Sequence, residues 1–282
     1  MIDTEIDWIA YKQEVEGFLN GSRNYTELKG DTGPLVYPAG FVYIYTVFYH
    51  IDKWAQNLKV MQFVFGGLYL LNLLIVFRIY RLAKQAPFFA LCFMSFTAYR
   101  VHSIYVLRLF NDPVAMLFAY ISIALFQQQN WLVGCVFFSL AVSIKMNILL
   151  FAPGLFVLLL HFTGPRKTFG LIFICGIIQL ILGYPFLMFD PFAYIKASFD
   201  LGRVFFFKWT VNWRFVPEET FLSRTFHLSL FGLHLSSLTL IAWHLWKRYA
   251  FSSLSSNLAI HFLFCVKVIT QTSWQNDKRG DF

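Results

Sequence analysis

Of the 282 residues, 58% are hydrophobic, 20% aromatic and 13% charged, and the mean hydropathy is +0.58; a soluble domain carries about 25% charged residues, so the composition excludes one and predicts an all-α polytopic membrane protein. The net charge of +8 invites a nucleic-acid partner, but Lys and Arg stand at the ends of apolar segments and not in polar-interleaved runs, which sets nucleic acid aside. The four cysteines, Cys92, Cys135, Cys175 and Cys265, lie inside apolar segments without CxxC spacing. They read as small buried hydrophobes, not as zinc ligands or a loop disulfide.

The chain opens on MIDTEIDWIAYKQEVEGFLNGSRNYTELKGDTGPLVYPAG, in which seven of the fifteen acidic residues precede Gly33. No secretory signal is expected here, and the segment reads as a water-facing active-site loop. Asn20-Gly-Ser and Asn24-Tyr-Thr are glycosylation sequons. From Gly33 to Ile51 the chain is too short after its prolines to span, yet rich in Tyr and Phe, and reads as a helix in the membrane interface. A spanning helix needs about twenty apolar residues, which Val60 to Phe77, Gly170 to Phe189 and Phe226 to Trp246 each supply. Trp131 to Phe162 is too long for one span and carries the polar interruption SIKMN, so two short helices in a hairpin are expected, with Lys145 near the turn. Phe88 to Val106 and the shorter Val114 to Phe126 bring the set to about seven. No second soluble domain, low-complexity tract or internal repeat is visible.

The short loops holding Arg78, Arg81 and Lys84, then Arg166 and Lys167, then Lys247 and Arg248, contain no acid, as cytosolic loops should. The acids from Asp3 to Glu219 then fall on the opposite side, together with both sequons.

The strings TEIDWIAYKQEVEGFLNG, GDTGPLVYPAGFVYIY, YRVHSIYVLRLFNDPVAM, FFSLAVSIKMNILLFAPG and SFDLGRVFFFKWTVNWRF closely resemble the dolichyl-phosphate-mannose-dependent α-1,3-mannosyltransferases of asparagine-linked glycosylation, the Not-like family, from about Thr4 to about Lys247. The resemblance implies the GT-C glycosyltransferase fold in the endoplasmic reticulum membrane, with active-site loops lumenal. It implies dolichyl-phosphate mannose as donor substrate, a five-mannose dolichyl-diphosphate oligosaccharide as acceptor and no separate cofactor. Residues 1–249 would form the membrane domain, with 1–59 its lumenal first loop and interfacial helix, and 250–282 a divergent tail. The family's first helix and its C-terminal helices are not matched, so a truncated, inactive member of the family is the alternative expectation. A transporter fits less well, because no inverted repeat is visible.

Inversion at a β-linked mannosyl phosphate requires one carboxylate to deprotonate the acceptor hydroxyl while phosphate leaves from the other face. The resemblance assigns that base to Asp7, with Asp3 and Glu5 as alternates. By composition alone, three acids in five residues are a solvated face at a helix start. The departing phosphate needs preorganised cations. Arg100, His102 and Arg108, then Lys145, then Arg203, Lys208 and Arg214 are the candidate clusters. Lys145 stands out, because a cation inside an apolar hairpin is costly; its bland reading is snorkelling to the headgroups. Arg108 and Arg203 also suit interfacial anchoring, His102 reads as a satisfied buried histidine, and Asp112 either assists the base or caps the helix that follows it, capping being preferred.

Overall fold

The computed structural model describes residues 6–84, 87–97, 102–200, 207 and 213–250, in two units, Met1–Asp200 and Leu201–Phe282. The described chain is almost entirely helical. Among the described residues three helical stretches are long and apolar enough to cross a membrane, Leu58–Ala83, Met146–Leu187 and Arg224–His244. The first contains the run Val60 to Phe77, and the other two cover all but the last two residues of Gly170 to Phe189 and Phe226 to Trp246.

The segment expected to be a loop is folded. Helix α1 covers Ile6–Leu19, and β1 (Lys29–Gly30) pairs antiparallel with β2 (Gly33–Pro34). The hairpin lies directly on α1: a Cβ on Gly30 would stand 2.6 Å from the Ala10 carbonyl oxygen, and Gln13 brackets Asp31 by donating to its carboxylate at 2.9 Å and accepting from its N–H at 2.7 Å. The acids hide this helix from a hydropathy reading, although Trp8, Tyr11 and Val15 recur at helical spacing and are buried.

Helix α2 (Ala39–Ala55) starts after Pro38, whose extended backbone sets the entry, and stops where Gln56 turns left-handed at φ 49. The expected aromatic helix is therefore present. Its aromatics do not simply anchor it: Phe41, Tyr45 and Phe48 are buried, with Phe41 stacked on Tyr45 at 4.4 Å and Tyr11 edge-on to both. Trp54 alone of these large rings is outward, 84% exposed. Lys12 and Asp52, 2.9 Å apart, tie α1 to α2.

Helix α3 (Leu58–Ala83) is capped by Asn57, which accepts from the Lys59 N–H at 3.0 Å. It buries Met61, Phe65 and Ile79 while turning Phe63, Leu70 and Leu74 outward, the pattern of a helix with lipid on one side. The stretch expected as one span from Phe88 to Val106 is resolved as α4 (Phe88–Thr97) and a wide π turn (Ser103–Leu107); residues 98–101 between them, Arg100 included, lie outside the described residues. On α4, Leu91 is buried and Cys92 is exposed. The expectation that all four cysteines are buried fails there, because Cys92 sits about 100° round the helix from its packed face. Cys135 is buried and accepts at its carbonyl from the half-buried Cys175 thiol at 3.3 Å; Cys265 lies outside the described residues.

Helices α5 (Asp112–Gln127) and α6 (Trp131–Ile144) form a tight antiparallel pair, with Ser122 donating to the Gly134 carbonyl at 2.8 Å. The chain breaks at Lys145 as the SIKMN interruption predicts, then continues as a short 3₁₀ turn (Met146–Phe151) into α7 (Ala152–Leu187). A second bend divides α7 at Gly164, whose φ of 76 and ψ of 165 leave the helix. The next residue is Pro165, which disfavours helical backbone before it, and only glycine takes that positive φ without strain. The first arm runs back along α6, with Trp131 stacked on Phe162 at 5.4 Å. The second returns beside it: Ser139 donates to the Cys175 carbonyl and Gln179 to the Ser139 carbonyl. Helix α8 (Pro191–Ser198) follows, capped by Asp190, which accepts from Ala193 N–H at 3.0 Å. In the second unit α9 (Glu218–Leu222) and α10 (Arg224–Ala250) meet through Phe221, Phe226 and His227.

These contacts sort the charges of the first unit between two ends. Gln127 donates to the Ile79 carbonyl, which brings the end of α5 beside the end of α3, and Trp131 meets Phe162; Arg78, Arg81, Lys84, Arg166 and Lys167 therefore gather at one end. The start of α5, the end of α6, the start of α2 and the end of α7 meet at the other. There Tyr43 donates to the Leu182 carbonyl at 2.7 Å and Tyr194 accepts from Ala39 N–H at 3.3 Å.

Candidate active site

At this second end the helical ladder of α6 stops because Lys145 adopts an extended backbone, φ −148 and ψ 118. Its ammonium meets the Asp112 carboxylate at 2.6 Å and donates to the Asn111 side-chain oxygen at 3.2 Å. An ammonium has three donors, so these two contacts leave a third. Both ion-pair side chains are about one quarter exposed, which keeps the pair within reach of a ligand. Burial disfavours the Lys145 charge, but Asp112, Tyr37 and Asp7 more than compensate, and its pKa stands above the ordinary lysine value.

Asp112 therefore does not cap α5, contrary to the preferred sequence reading. It occupies the first helical turn, one place past the cap position held by Asn111, and its carboxylate is turned to Lys145. Asn111 makes no capping bond either. It is fully buried, and because its oxygen faces the ammonium its amide nitrogen is left without a partner. The snorkelling reading of Lys145 gives way for the same reason: its ammonium is held by named partners inside the protein.

Asp7 lies half-buried in the first turn of α1. Tyr11 follows one turn later and Glu14, 3% exposed, about another turn on, so these polar groups share one face at i, i+4 and i+7. The Tyr11 and Tyr37 hydroxyls are 3.4 Å apart, Tyr45 donates to the Leu109 carbonyl at 3.3 Å, and Tyr25 fixes the Tyr37 carbonyl at 2.9 Å. Burial pushes the Tyr11 pKa well above its ordinary value, and the neighbouring Tyr37, Tyr45 and Asp7 push it further. Asp7 thus acts electrostatically on both Tyr11 and Lys145.

Of the other sequence candidates, Arg108 is half-buried at the end of the π turn, its guanidinium 5.7 Å from the centre of the Phe110 ring. His102 shares a 2.9 Å hydrogen bond with the Tyr69 hydroxyl, satisfied as expected but half-buried where burial was expected. Arg214 belongs to the second unit, while Asp3, Glu5, Arg203 and Lys208 lie outside the described residues. Among the described residues no group of three or more His, Cys, Asp or Glu side chains could hold a metal ion. Sequence reasoning passed over Tyr11, Glu14, Tyr37 and Asn111. The helical spacing from Asp7 and the position of Asn111 beside Asp112 were the signals available.

A family model described as ALG3 protein matches residues 2–278. The chain is 54% identical over 243 residues to the Drosophila melanogaster dolichyl-P-Man:Man5GlcNAc2-PP-dolichol alpha-1,3-mannosyltransferase Alg3, covering 86% of this chain and 48% of that protein. It is 55% identical over 246 residues to the Mus musculus Dol-P-Man:Man(5)GlcNAc(2)-PP-Dol alpha-1,3-mannosyltransferase, covering 87% of this chain and 56% of that one. The Homo sapiens protein of the same name is 54% identical over 252 residues, covering 89% and 58%. The chain thus spans about half the length of the curated relatives it matches. No solved structure matches it significantly.

Proposed function

This chain belongs to the ALG3 protein family, and on that premise we propose that it transfers mannose from dolichyl-phosphate mannose to dolichyl-diphosphate-linked Man5GlcNAc2, forming an α-1,3 linkage with inversion. The observation that carries this reading is the Lys145–Asp112 ion pair held where α6 breaks, with Asp7 among the charges that act on Lys145. A carboxylate base and a cation for the phosphate are the groups that an inverting displacement at a mannosyl phosphate calls on. Asp7 takes the proton from the acceptor hydroxyl; the freed oxygen pair forms the bond to the anomeric carbon as that carbon's bond to phosphate oxygen breaks. The phosphate keeps the electron pair, and the third donor of Lys145 meets it there. Preorganised charge of this kind contributes where charge develops in the transition state. Arg108, Arg203, Lys208 and Arg214 remain proposed donor or anchoring residues.

We place the reaction in the endoplasmic reticulum membrane with the Lys145 end lumenal. The gathering of five basic residues at the other end supports the orientation, and the dolichol-linked substrates in the relatives' names support a membrane. The test is direct: the purified chain, given synthetic dolichyl-phosphate mannose and the five-mannose acceptor, should form the six-mannose product, and Asp7→Asn should slow turnover by about 10² to 10⁴. Near-normal turnover in Asp7→Asn would remove Asp7 as the base.

A further inference from the structure

Tyr37 is the half-buried member of a cluster whose other hydroxyls are enclosed. Tyr11 is 5% and Tyr45 2% exposed, and Tyr45 already donates to the Leu109 carbonyl. Tyr37 immediately precedes Pro38 at the start of α2, and α2 presses on the end of α6 there: a Cβ on Gly40 would lie 2.9 Å from the Ser143 carbonyl oxygen, two residues before Lys145. Its ring is fixed by Phe41 at 4.6 Å and by Tyr11 at 5.8 Å, and its backbone by the Tyr25 hydroxyl.

We propose that the Tyr37 hydroxyl is a second donor to the phosphate oxygen that Lys145 meets, so that a neutral and a charged donor together hold the anionic head of the lipid donor. This rests on the reading of Lys145 given above and adds a residue that reading does not contain. The hydrogen bonding allows it: when Tyr11 donates to Tyr37, the Tyr37 proton is free for a ligand. The electrostatics agree. Burial raises the Tyr37 pKa against the opposing pull of Lys145, the strongest charge acting on it, so the phenol keeps its proton and remains a donor. The Asp112 carboxylate lies within the same field, and the resting protein therefore keeps the cation neutralised until an anion arrives.

The experiment uses the full chain in lipid nanodiscs and two probes, dolichyl phosphate and uncharged dolichol. Tyr37→Phe retains the ring and its packing but removes the donor. Loss of a hydrogen bond to a charged group predicts about ten-fold weaker binding of dolichyl phosphate, with dolichol binding unchanged and a modest fall in the thermal midpoint from the lost Tyr11 contact. Tyr11→Phe, which only orients Tyr37, should weaken phosphate binding less. An equal loss for dolichol would make Tyr37 a packing residue and overturn the proposal. Full phosphate affinity in Tyr37→Phe alongside reduced affinity in Lys145→Met would overturn the role of Tyr37 while leaving that of Lys145 standing. If neither substitution weakened phosphate binding, both would fall.

Discussion

At the scale of single residues, the Lys145–Asp112 pair admits two explanations that a single substitution separates. If Asp112 is the resident counter-ion of a phosphate-binding cation, Asp112→Asn leaves the Lys145 charge in place without its carboxylate, and affinity for dolichyl phosphate should rise several-fold. A pair that is only structural predicts a loss on the order of 2 kcal/mol in stability with no gain in anion affinity. A titration of the purified variant with dolichyl phosphate decides between them, and unchanged or weaker binding would remove the counter-ion role. Lys145 was legible in the sequence, because a cation in an apolar run is costly wherever it folds. Its partner was not: Asn111 stands 34 positions away, Asp112 beside it, and no local rule brings the start of one helix to the end of another. Asn111, whose oxygen meets the same ammonium, was overlooked because its neighbour carries the formal charge.

At the scale of elements, the site depends on how closely α2 can approach α6. Gly40 is the contact point, and the obstacle to a Cβ there includes Ser143 backbone as well as its side chain. Gly40→Ala should therefore destabilise the protein by about 1–3 kcal/mol. It should also weaken dolichyl phosphate binding, because Tyr37 would be moved off Lys145. Gly66→Ala and Gly67→Ala on α3, where a Cβ meets nothing within 4 Å, should not be destabilising, since alanine favours the helix. Thermal unfolding in one detergent compares the three, and a neutral Gly40→Ala would show that α2 can shift without disturbing the site. Helices α3, α5 and α6 were readable from run length, and the break at Lys145 from its polar interruption. Helix α1 is only half legible: its acids suggest a solvated loop or a helix start, and the spacing of Trp8, Tyr11 and Val15 carries the rest of the signal. The bend at Gly164 has a sequence signal in Gly-Pro, but the apolar runs on either side read as spans and conceal the joint.

At the scale of the whole molecule, charge sorting within the first unit makes orientation testable. Arg78, Arg81, Lys84, Arg166 and Lys167 gather at the end remote from Lys145, and a short loop rich in Arg and Lys faces the cytosol. The α1 end, with both sequons, should then be lumenal. Asn20 is exposed, whereas the Asn24 amide nitrogen donates to Glu27 at 3.2 Å and its oxygen holds Thr26. A folded glycan therefore sits more easily on Asn20. Removal of glycans should shift the mobility of the membrane-inserted protein, and Asn20→Gln should abolish most of that shift. Because glycan attachment also depends on the local sequon, a chemical probe carries the test of orientation. With the native cysteines replaced by serine, Gly21→Cys should resist a membrane-impermeant maleimide applied to the cytosolic side of sealed vesicles, and Lys84→Cys should react. Rapid labelling of Gly21→Cys with protection of Lys84→Cys would invert the protein. It would put Asp7, Tyr37 and Lys145 on the cytosolic face and thereby overturn the lumenal placement of the reaction, while leaving the geometry that joins them intact.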